Sequence, residues 1–390
     1  MIFHYKSWSI SFKVQFFLYI FSFLFFSSFY IAAQCKKPIT VRVLLSQTCN
    51  VDRKWHFTSH KGFWISSAKD RNKKQHYKKH QLTISVKKGH LFCNGKNIDQ
   101  GIILKPISDY AECDGIIYDG YFCIVPDKDA FLCINYVNLE DYITAVLKTE
   151  SWPGWPLEIN KVFAIVCRSY VVSKISETKK SGKLYHVKNT NEHQTYRGRH
   201  DVAMLKQAVE QTKSIVLGFD GKPILAMFDS CCGSIIPAHI SDFDFKKVPY
   251  LARMHSCNHC KKCSLYSWKI SYEVSVLEKM LKRHMHNIGK LRDIYILEKD
   301  KAGLVIKIII IGTRGQVMIS GKQLYSALKE VKSFYFDINK KSGIITVSGR
   351  GFGHHLGLCQ WGARQMVRDG WDYKSILQYY YPQTYFMKLL

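Results

Sequence analysis

The sequence predicts a mixed α+β fold, and three observations lead to that prediction. Short runs rich in β-branched and aromatic residues, the usual composition of strands, flank a central segment on both sides. The central segment carries apolar residues at helical spacing. A Gly-rich stretch and short helical segments close the chain. Such separate groups of strands and helices are typical of α+β proteins. The predicted strands cover residues 41–45, 82–86, 131–136, 304–311 and 344–347.

The central segment predicts two consecutive helices joined by a short turn. Asn138 is placed to cap the first helix, whose apolar face is expected to be buried. Pro153 ends this helix, and Pro156 suits the first turn of the next. Glu150 therefore falls in the last turn of the first helix. The apolar positions of that helix are Leu139, Tyr142, Ile143, Val146 and Leu147.

Glu150 is the candidate catalytic acid. The carbonyl end of the helix dipole and the nearby Trp152 and Trp155 disfavour its negative charge, which raises the pKa of the carboxyl toward neutrality. A carboxyl with such a pKa can donate a proton to a substrate. The alternative is an exposed helix-end residue, which is the ordinary state of a Glu. Asp141 and Glu158 are weaker candidates, because both are expected on helix surfaces.

The N-terminal 34 residues predict export. Lys6 and Lys13 precede an apolar run over residues 14–33, which has the pattern of a signal peptide. Cleavage after Ala33 and retention as a signal anchor in the membrane both remain open. In either case residues 35–390 form one globular body outside the cytoplasm, in the periplasm or cell envelope.

The charge balance favours an anionic partner. The chain has 57 Lys and Arg against 30 Asp and Glu, which attracts polyanions. An exported chain without a nucleic-acid-binding motif is not expected to bind nucleic acid. Cell-wall glycan, teichoic-type polymers or phospholipid headgroups suit the compartment. The densest basic stretch, residues 71–80, lies in a predicted insertion near 52–80, which we interpret as a solvated loop rather than a dedicated binding site.

The cysteines predict a metal site or disulfides. The chain has 13 cysteines, so at least one is unpaired or bound to something else. Their close spacing lets several thiolates converge on one ion, and we favour a structural zinc over disulfides. His255 and His259 remain alternative ligands. The predicted ligands are Cys257, Cys260, Cys263 and either Cys231 or Cys232.

The Gly-rich stretch at residues 349–363 predicts a ligand-binding loop. Its glycines let the backbone approach a ligand closely, and it lacks the context of a dinucleotide fingerprint. His354, His355, Gln360 and Trp361 offer the hydrogen-bonding edges and flat apolar face that sugar recognition needs. For His354 we favour a role in the substrate cleft over that of a buried structural histidine. Gln360 and Trp361 could instead brace the start of a helix at 363–367.

Several segments together resemble a known family. Residues 138–142 (Asn-Leu-Glu-Asp-Tyr), 149–153 (Thr-Glu-Ser-Trp-Pro) and 163–170 (Phe-Ala-Ile-Val-Cys-Arg-Ser-Tyr) follow the family's order of motifs. Residues 194–198 fit its Gln-x-Tyr-x-Gly pattern, and 349–363 fit its Gly-x-Gly-x-Gly-His-Gly-Val-Gly-Met-Ser-Gln-Trp-Gly-Ala pattern. The chain resembles the stage II sporulation protein D family, also called the amidase-enhancer family, over nearly the whole chain after the export segment.

The resemblance implies a peptidoglycan lytic transglycosylase with Glu150 as its acid. It further implies glycan strands stripped of stem peptides as substrate, and a partnership with a cell-wall amidase and the division or remodelling machinery. Zinc binding in the Cys-rich region also occurs in the family. The chain departs from the family at Asp229, which replaces a His, and at His355, which replaces a Gly. Asp229 could accept a hydrogen bond from a sugar, coordinate an ion or serve as a structural turn residue. The implied substrate-binding residues are Arg168, Tyr170, Gln194, Tyr196, Ser230, His354, Gln360 and Trp361.

A single prominent carboxyl suits this chemistry. Glycoside hydrolases normally use two carboxylates, whereas a lytic transglycosylase uses a hydroxyl of its own substrate as nucleophile, so positioning replaces the second group. The alternative function is a non-catalytic, glycan-binding activator of a cell-wall amidase. A zinc amidase or peptidase is disfavoured, because a Cys-rich cluster forms a closed metal site.

Overall fold

A computed structural model describes residues 38–49, 52–152 and 154–389. These residues contain both strands and helices, which confirms the predicted α+β class. The predicted export segment at residues 1–34 lies outside the described residues. Within the described ranges, no helix combines the length and apolar character needed to span a bilayer.

The helices follow the predicted pattern in the centre and at the end of the chain. The predicted pair corresponds to α1 and α2, and the predicted C-terminal helices to α6 and α7. The described α-helices are α1 (Leu139–Glu150), α2 (Leu157–Ser181), α3 (Ala203–Gln211), α4 (Val274–Leu281), α5 (Gly321–Ala327), α6 (Gln360–Arg368) and α7 (Tyr373–Tyr380).

The strands are more numerous than predicted, although each predicted strand overlaps an observed one. They are β1 (Thr40–Cys49), β2 (Arg53–Thr58), β3 (Phe63–Ser67), β4 (Gln75–Tyr77), β5 (Gln81–Lys87), β6 (His90–Cys93), β7 (Lys96–Asn97), β8 (Ile102–Pro106), β9 (Tyr110–Cys113), β10 (Ile116–Asp119), β11 (Tyr121–Asp127), β12 (Ala130–Asn138), β13 (Val187–Lys188), β14 (Ile215–Phe219), β15 (Lys222–Pro223), β16 (Phe228–Asp229), β17 (Ser267–Glu273), β18 (Leu291–Lys299), β19 (Val305–Gly312), β20 (Gln316–Ser320), β21 (Phe336–Lys341), β22 (Ile344–Arg350), β23 (Leu358–Cys359) and β24 (Tyr385–Lys388).

Two sheets form the N-terminal part of the body. A seven-stranded sheet has the order β13-β1-β12-β11-β8-β3-β4, and a six-stranded sheet has the order β10-β9-β2-β5-β6-β7. Both sheets contribute to the main core, where the rings of Phe57 and Phe122 meet edge to face at 5.0 Å. Helix α1 packs on strands β1 and β12 of the seven-stranded sheet, and α2 packs against α1.

The basic segment near 52–80, which was interpreted as a solvated loop, contributes strands to both sheets. It supplies β2 to the six-stranded sheet and β3 and β4 to the edge of the seven-stranded sheet. Phe57 and Phe63 from this segment are fully buried. Its many charges obscured the alternation of apolar and polar residues that marks a strand. The part between β3 and β4, residues 68–74, is the loop.

Helices α1 and α2 form as the sequence predicts. The Asn138 side chain accepts a hydrogen bond from the Glu140 N–H at 2.9 Å and caps α1. The helix ends at Glu150, since Ser151 has an extended backbone. Helix α2 is buried on most of its circumference, as expected of a helix that is apolar all round.

A second core lies in residues 267–350. It is built from two three-stranded sheets, β17-β22-β21 and β18-β19-β20, together with α4 and α5. Strand β22 leads out of this core into the Gly-rich stretch. Within that stretch, β23 pairs in parallel with β16, so that Asp229 lies opposite Cys359. This pairing brings two segments that are distant in sequence to the end of α1.

Candidate functional site

A cleft of about 350 Å³ lies where the end of α1 meets the Gly-rich stretch. The segment at 191–195 and strand β16 complete its walls. The cleft brings the two predicted motifs together. Glu150 of the first motif and Gln360 of the second are 210 positions apart in the sequence. Its lining residues are Glu150, Tyr170, Asn191, Glu192, His193, Thr195, Met227, Phe228, Asp229, Ser230, Phe352, Gly353, His354 and Gln360.

Glu150 is held at the wall of this cleft. Its Oε1 accepts a hydrogen bond from the Thr195 N–H at 2.6 Å, and the Gln360 side chain donates to the Glu150 carbonyl at 3.0 Å. Burial raises the pKa of the Glu150 carboxyl, and the Thr195 hydrogen bonds oppose that rise only in part. The raised pKa agrees with the sequence prediction, with burial as its main cause. The carboxyl is therefore fixed in place and able to carry a proton.

His354 is a neutral imidazole on the same wall. Burial lowers its pKa to about 4. Its Nδ1 accepts a hydrogen bond from the Leu356 N–H at 3.1 Å, which places the proton on Nε2. The ring also hydrogen-bonds the Phe228 backbone, and in its neutral form it adds no positive charge beside Glu150.

Asp229 brings a second carboxyl into the cleft. Its Oδ2 accepts a hydrogen bond from the His355 N–H at 2.7 Å, and its buried Oδ1 has no hydrogen-bond partner among the described residues. Burial raises the pKa of Asp229 well above its usual range. A Cβ at Gly353 would lie 2.4 Å from the Cβ of Asp229, so a glycine is needed there. The sequence left Asp229 open between a sugar contact, an ion ligand and a turn residue.

Three of the predicted substrate-binding residues are placed in the core instead. Arg168 is fully buried and donates to the Glu140 carboxylate at 2.7 and 3.1 Å. The Gln194 side chain accepts from the Tyr142 hydroxyl at 3.0 Å, and the Tyr196 hydroxyl donates to Asn135 at 2.9 Å. None of the three lines the cleft. They hold the helices and sheet together behind Glu150.

Trp361 is a supporting residue rather than part of the cleft wall. Its ring meets Trp155 edge to face at 5.8 Å, and the Arg364 guanidinium lies 4.8 Å from the ring centre. This is the bracing role that the sequence kept as an alternative.

Four of the predicted substrate contacts do line the cleft, namely Tyr170, Ser230, His354 and Gln360. Asn191, Glu192 and His193 also line it, and no spacing or motif in the sequence marked them.

Four buried thiols converge directly behind the cleft. The Sγ atoms of Cys232, Cys257, Cys260 and Cys359 all lie within 4.8 Å of one another. Three of them were predicted as ligands, and the fourth, Cys359, was not. Cys359 stands where the family's Gly-rich pattern has a Ser, and this substitution was the signal that could have identified it.

The other predicted ligands lie outside this four-thiol cluster. Cys231 and Cys263 form a separate pair with their Sγ atoms 3.7 Å apart. His259 is 3.3 Å from Asp369, and His255 packs against Tyr379. None of the described cysteines is in a disulfide bond.

The four-thiol cluster has the dimensions of a tetrahedral metal site. Four sulfurs at 2.3 Å from one zinc ion would be separated by about 3.8 Å, and the Sγ atoms of Cys232 and Cys260 are 3.7 Å apart. The Gly362 N–H points at Cys359 Sγ at 3.3 Å, a contact that suits a thiolate. A Cβ at Gly362 would lie 2.8 Å from Cys257 Sγ. The residues present therefore fit a closed zinc site with four protein ligands.

Two sequence-family models match separate parts of the chain. A sequence model of the stage II sporulation protein family matches residues 127–219, which include α1, Glu150 and α2. A model of a domain of unknown function matches residues 243–357, which include the second core.

Three bacterial proteins are similar to parts of this chain. An uncharacterized protein of Brachyspira hyodysenteriae is 30% identical over 288 residues, which cover 72% of this chain and 75% of that protein. The amidase enhancer of Bacillus subtilis is 24% identical, over 62% of this chain and 40% of the enhancer. Stage II sporulation protein D of Bacillus amyloliquefaciens is 22% identical, over 64% of this chain and 74% of that protein.

Proposed function

Because the chain belongs to the stage II sporulation protein D family, we propose that it is a lytic transglycosylase of peptidoglycan. Its substrate is the glycosidic bond between MurNAc and GlcNAc, on strands from which an amidase has removed the stem peptides. The observation that carries this proposal is Glu150, a partly buried carboxyl of raised pKa fixed at the wall of a cleft.

The reaction needs one acid that later acts as a base. Protonated Glu150 donates its proton to the bridging oxygen, and the bond from that oxygen to C1 of MurNAc breaks. The C6 hydroxyl of the same MurNAc then attacks C1 and gives its proton to the Glu150 carboxylate. The product is a 1,6-anhydro sugar, no water is consumed, and Glu150 ends protonated as it began. Holding the hydroxyl near C1 supplies the positioning that a second carboxylate provides in hydrolases.

Other residues that line the cleft support this assignment. His354 and Asp229 both line the cleft, and the Oδ1 of Asp229 has no hydrogen-bond partner among the described residues. A sugar bound in the cleft would lie next to both side chains. Their neighbours Gly353 and Phe352 let a ring approach closely on one face.

The test is mass spectrometry of glycan products. Amidase-stripped peptidoglycan is incubated with the protein and with its Glu150→Gln variant, which keeps the shape of the side chain. Anhydro-MurNAc ends made by the parent protein alone support the proposal. Reducing ends would identify a hydrolase with a second carboxylate that remains to be assigned.

A binding function is the second candidate. The relative named amidase enhancer favours it, and on this hypothesis the cleft holds glycan while a partner amidase acts. Retained glycan binding with stimulation of an amidase, and without cleavage of the glycan, would establish it. Both functions place the protein outside the cytoplasm with an amidase and the division or remodelling machinery as partners.

The four-thiol cluster is proposed to hold one structural zinc ion. Cys232, Cys257, Cys260 and Cys359 would supply all four ligands, so no position is left for a reacting water. The ion would link β16 to β23 and fix Gln360, which follows Cys359 directly. Elemental analysis of protein prepared without chelator should find about one zinc per chain, and a metal-free, folded protein would contradict this.

A further inference from the structure

The seven-stranded sheet carries a row of aromatic and cationic side chains on its outer face. The register places Arg42 opposite Tyr136, Tyr136 opposite Tyr121, Lys105 opposite Trp64, and Trp64 opposite His76. Leu104 on β8 pairs with Phe122 on β11. Their neighbours Lys105 and Tyr121 therefore lie opposite each other, and the row continues across these two strands. We call these six residues the outer row: Arg42, Tyr136, Tyr121, Lys105, Trp64 and His76.

The outer row faces away from the main core. Side chains alternate between the two faces of a sheet, and the neighbours Val43, Phe122 and Phe63 are fully buried in that core. Trp64 is 42% exposed. Six adjacent strands at about 4.8 Å spacing give the row a length of about 24 Å. It is a long, narrow surface, and the activity proposed above does not use it.

The aromatic rings of the row form two contacting pairs, which we call platforms. The Tyr121 and Tyr136 rings are stacked at 4.7 Å, and the Trp64 ring lies 4.9 Å from that of His76. Such rings present an apolar face with a polar edge. The face of a sugar ring, with its axial C–H groups, packs well on a platform of this kind.

Positive charge surrounds the platforms. A cavity of about 580 Å³ along the row is lined by Arg71, Lys74 and Lys105 together with Trp64 and Tyr121. No carboxylate is among its lining residues. In the part of the chain that the structure describes, none of these three cations lies within 4.0 Å of an acidic group, since the ion pairs formed there involve other residues. The loop 68–74, which follows β3, therefore offers uncompensated charge over the row.

This chemistry selects an anionic polysaccharide. Removal of the stem peptide by an amidase leaves a lactyl carboxylate on each MurNAc, so a stripped strand carries sugar faces and carboxylates in regular alternation. Aromatic platforms match the sugars, and Arg or Lys side chains match the carboxylates with charge-assisted hydrogen bonds. A linear strand also suits the narrow shape of the row, whereas a membrane surface would not require ordered platforms.

The outer row is connected to the cleft. Strand β13 pairs with β1, and the side chain of Arg42 lies 3.0 Å from the ring of His186. Five residues later Asn191 lines the Glu150 cleft. Five residues span at most about 18 Å, so the end of the row lies close enough for one strand of several sugars to contact both.

We propose that the outer row is a second glycan-binding surface, which holds the part of a stripped, carboxylate-bearing strand that extends beyond the cleft. The proposal rests on the proposed function for its choice of glycan. Its role is retention of long strands, so that the enzyme stays on one strand between cleavage events. Short oligosaccharides that fill only the cleft do not use it.

The test is binding of stripped glycan strands to the full protein carrying Glu150→Gln, so that no cleavage occurs. The variant Trp64→Ala with Lys105→Glu should lose at least about tenfold in affinity, because it removes a platform and a charge-assisted contact. The control Lys279→Glu makes the same charge change on exposed α4 and should bind as the parent does. Equal binding by the double variant and the parent would overturn the proposal.

Two further measurements separate this proposal from the proposed function. Chitin oligomers, which have the sugar faces but no carboxylates, should bind weakly, and binding as tight as that of stripped strands would refute the role of the cations.

With Glu150 intact, the Trp64 and Lys105 variant should turn over a short oligosaccharide at the parent rate. If the parent protein cleaves nothing but still binds long strands through the outer row, the second glycan-binding surface is supported and the transglycosylase proposal is refuted. Lys105-dependent binding to phosphatidylglycerol vesicles without glycan binding would overturn the row as a glycan surface.

Discussion

Replacing Arg168 by Met should destabilise the fold rather than weaken substrate binding. The Arg168 side chain is fully buried, while that of Glu140 is 22% exposed. The variant leaves the Glu140 carboxylate without its counter-ion and also removes the donor to the Ile215 carbonyl at 3.1 Å. Breaking a buried ion pair from one side costs about 3 to 5 kcal/mol. Because Glu140 keeps its hydrogen bond from the Ser214 N–H at 3.1 Å, we expect a loss of about 3 kcal/mol in the free energy of unfolding.

The assay is urea denaturation followed by circular dichroism, with glycan turnover measured below the unfolding transition. The matched control is Arg199→Met, which removes a partly exposed pair with Asp119 at 3.2 Å and should cost less than about 1 kcal/mol. Adding Glu140→Leu to Arg168→Met should recover part of the lost stability, since no unpaired charge then remains. A variant that keeps the parental stability but has lost glycan turnover would refute this reasoning and would indicate that Arg168 contacts the substrate.

Three other outcomes follow from the site. The value of kcat/KM should fall as pH rises through the raised pKa of Glu150, because only the protonated carboxyl can donate; a pH profile that rises over this range would contradict the assignment. Cys359→Ser should lower the zinc content and the melting temperature, whereas Cys263→Ser, outside the four-thiol cluster, should keep the metal by elemental analysis. Gly353→Ala should reduce turnover with a smaller effect on stability, since its Cβ would collide with Asp229 at a backbone φ of 131°; an unchanged rate would show that the loop can move aside.

The sequence predicted the centre of the fold because that information is local. The spacing of apolar residues, the Asn138 cap and the Pro residues define α1 and α2 without reference to the rest of the chain. The position of Glu150 at the end of α1 follows from the same signals. The strands at 53–77 were missed because charged residues interrupt their alternation, although Phe57 and Phe63 are core residues.

The site was only partly predictable, since it depends on contacts between distant segments. A family motif identifies residues such as Arg168 and Tyr196, but it does not separate a packing role from contact with a substrate. The place of Cys359 depends on the parallel pairing of β16 with β23, which no local pattern indicates. The burial of Asp229 depends on the same pairing, and a local pattern left its role open.

The most direct test of the central claim is the chemical form of the glycan ends produced by the parent protein and by Glu150→Gln. Folding of the variant is checked by its melting temperature. The account predicts 1,6-anhydro-MurNAc ends from the parent and none from a variant that is folded and still binds stripped glycan. Anhydro ends produced at the parental rate by the folded variant would contradict the role of Glu150.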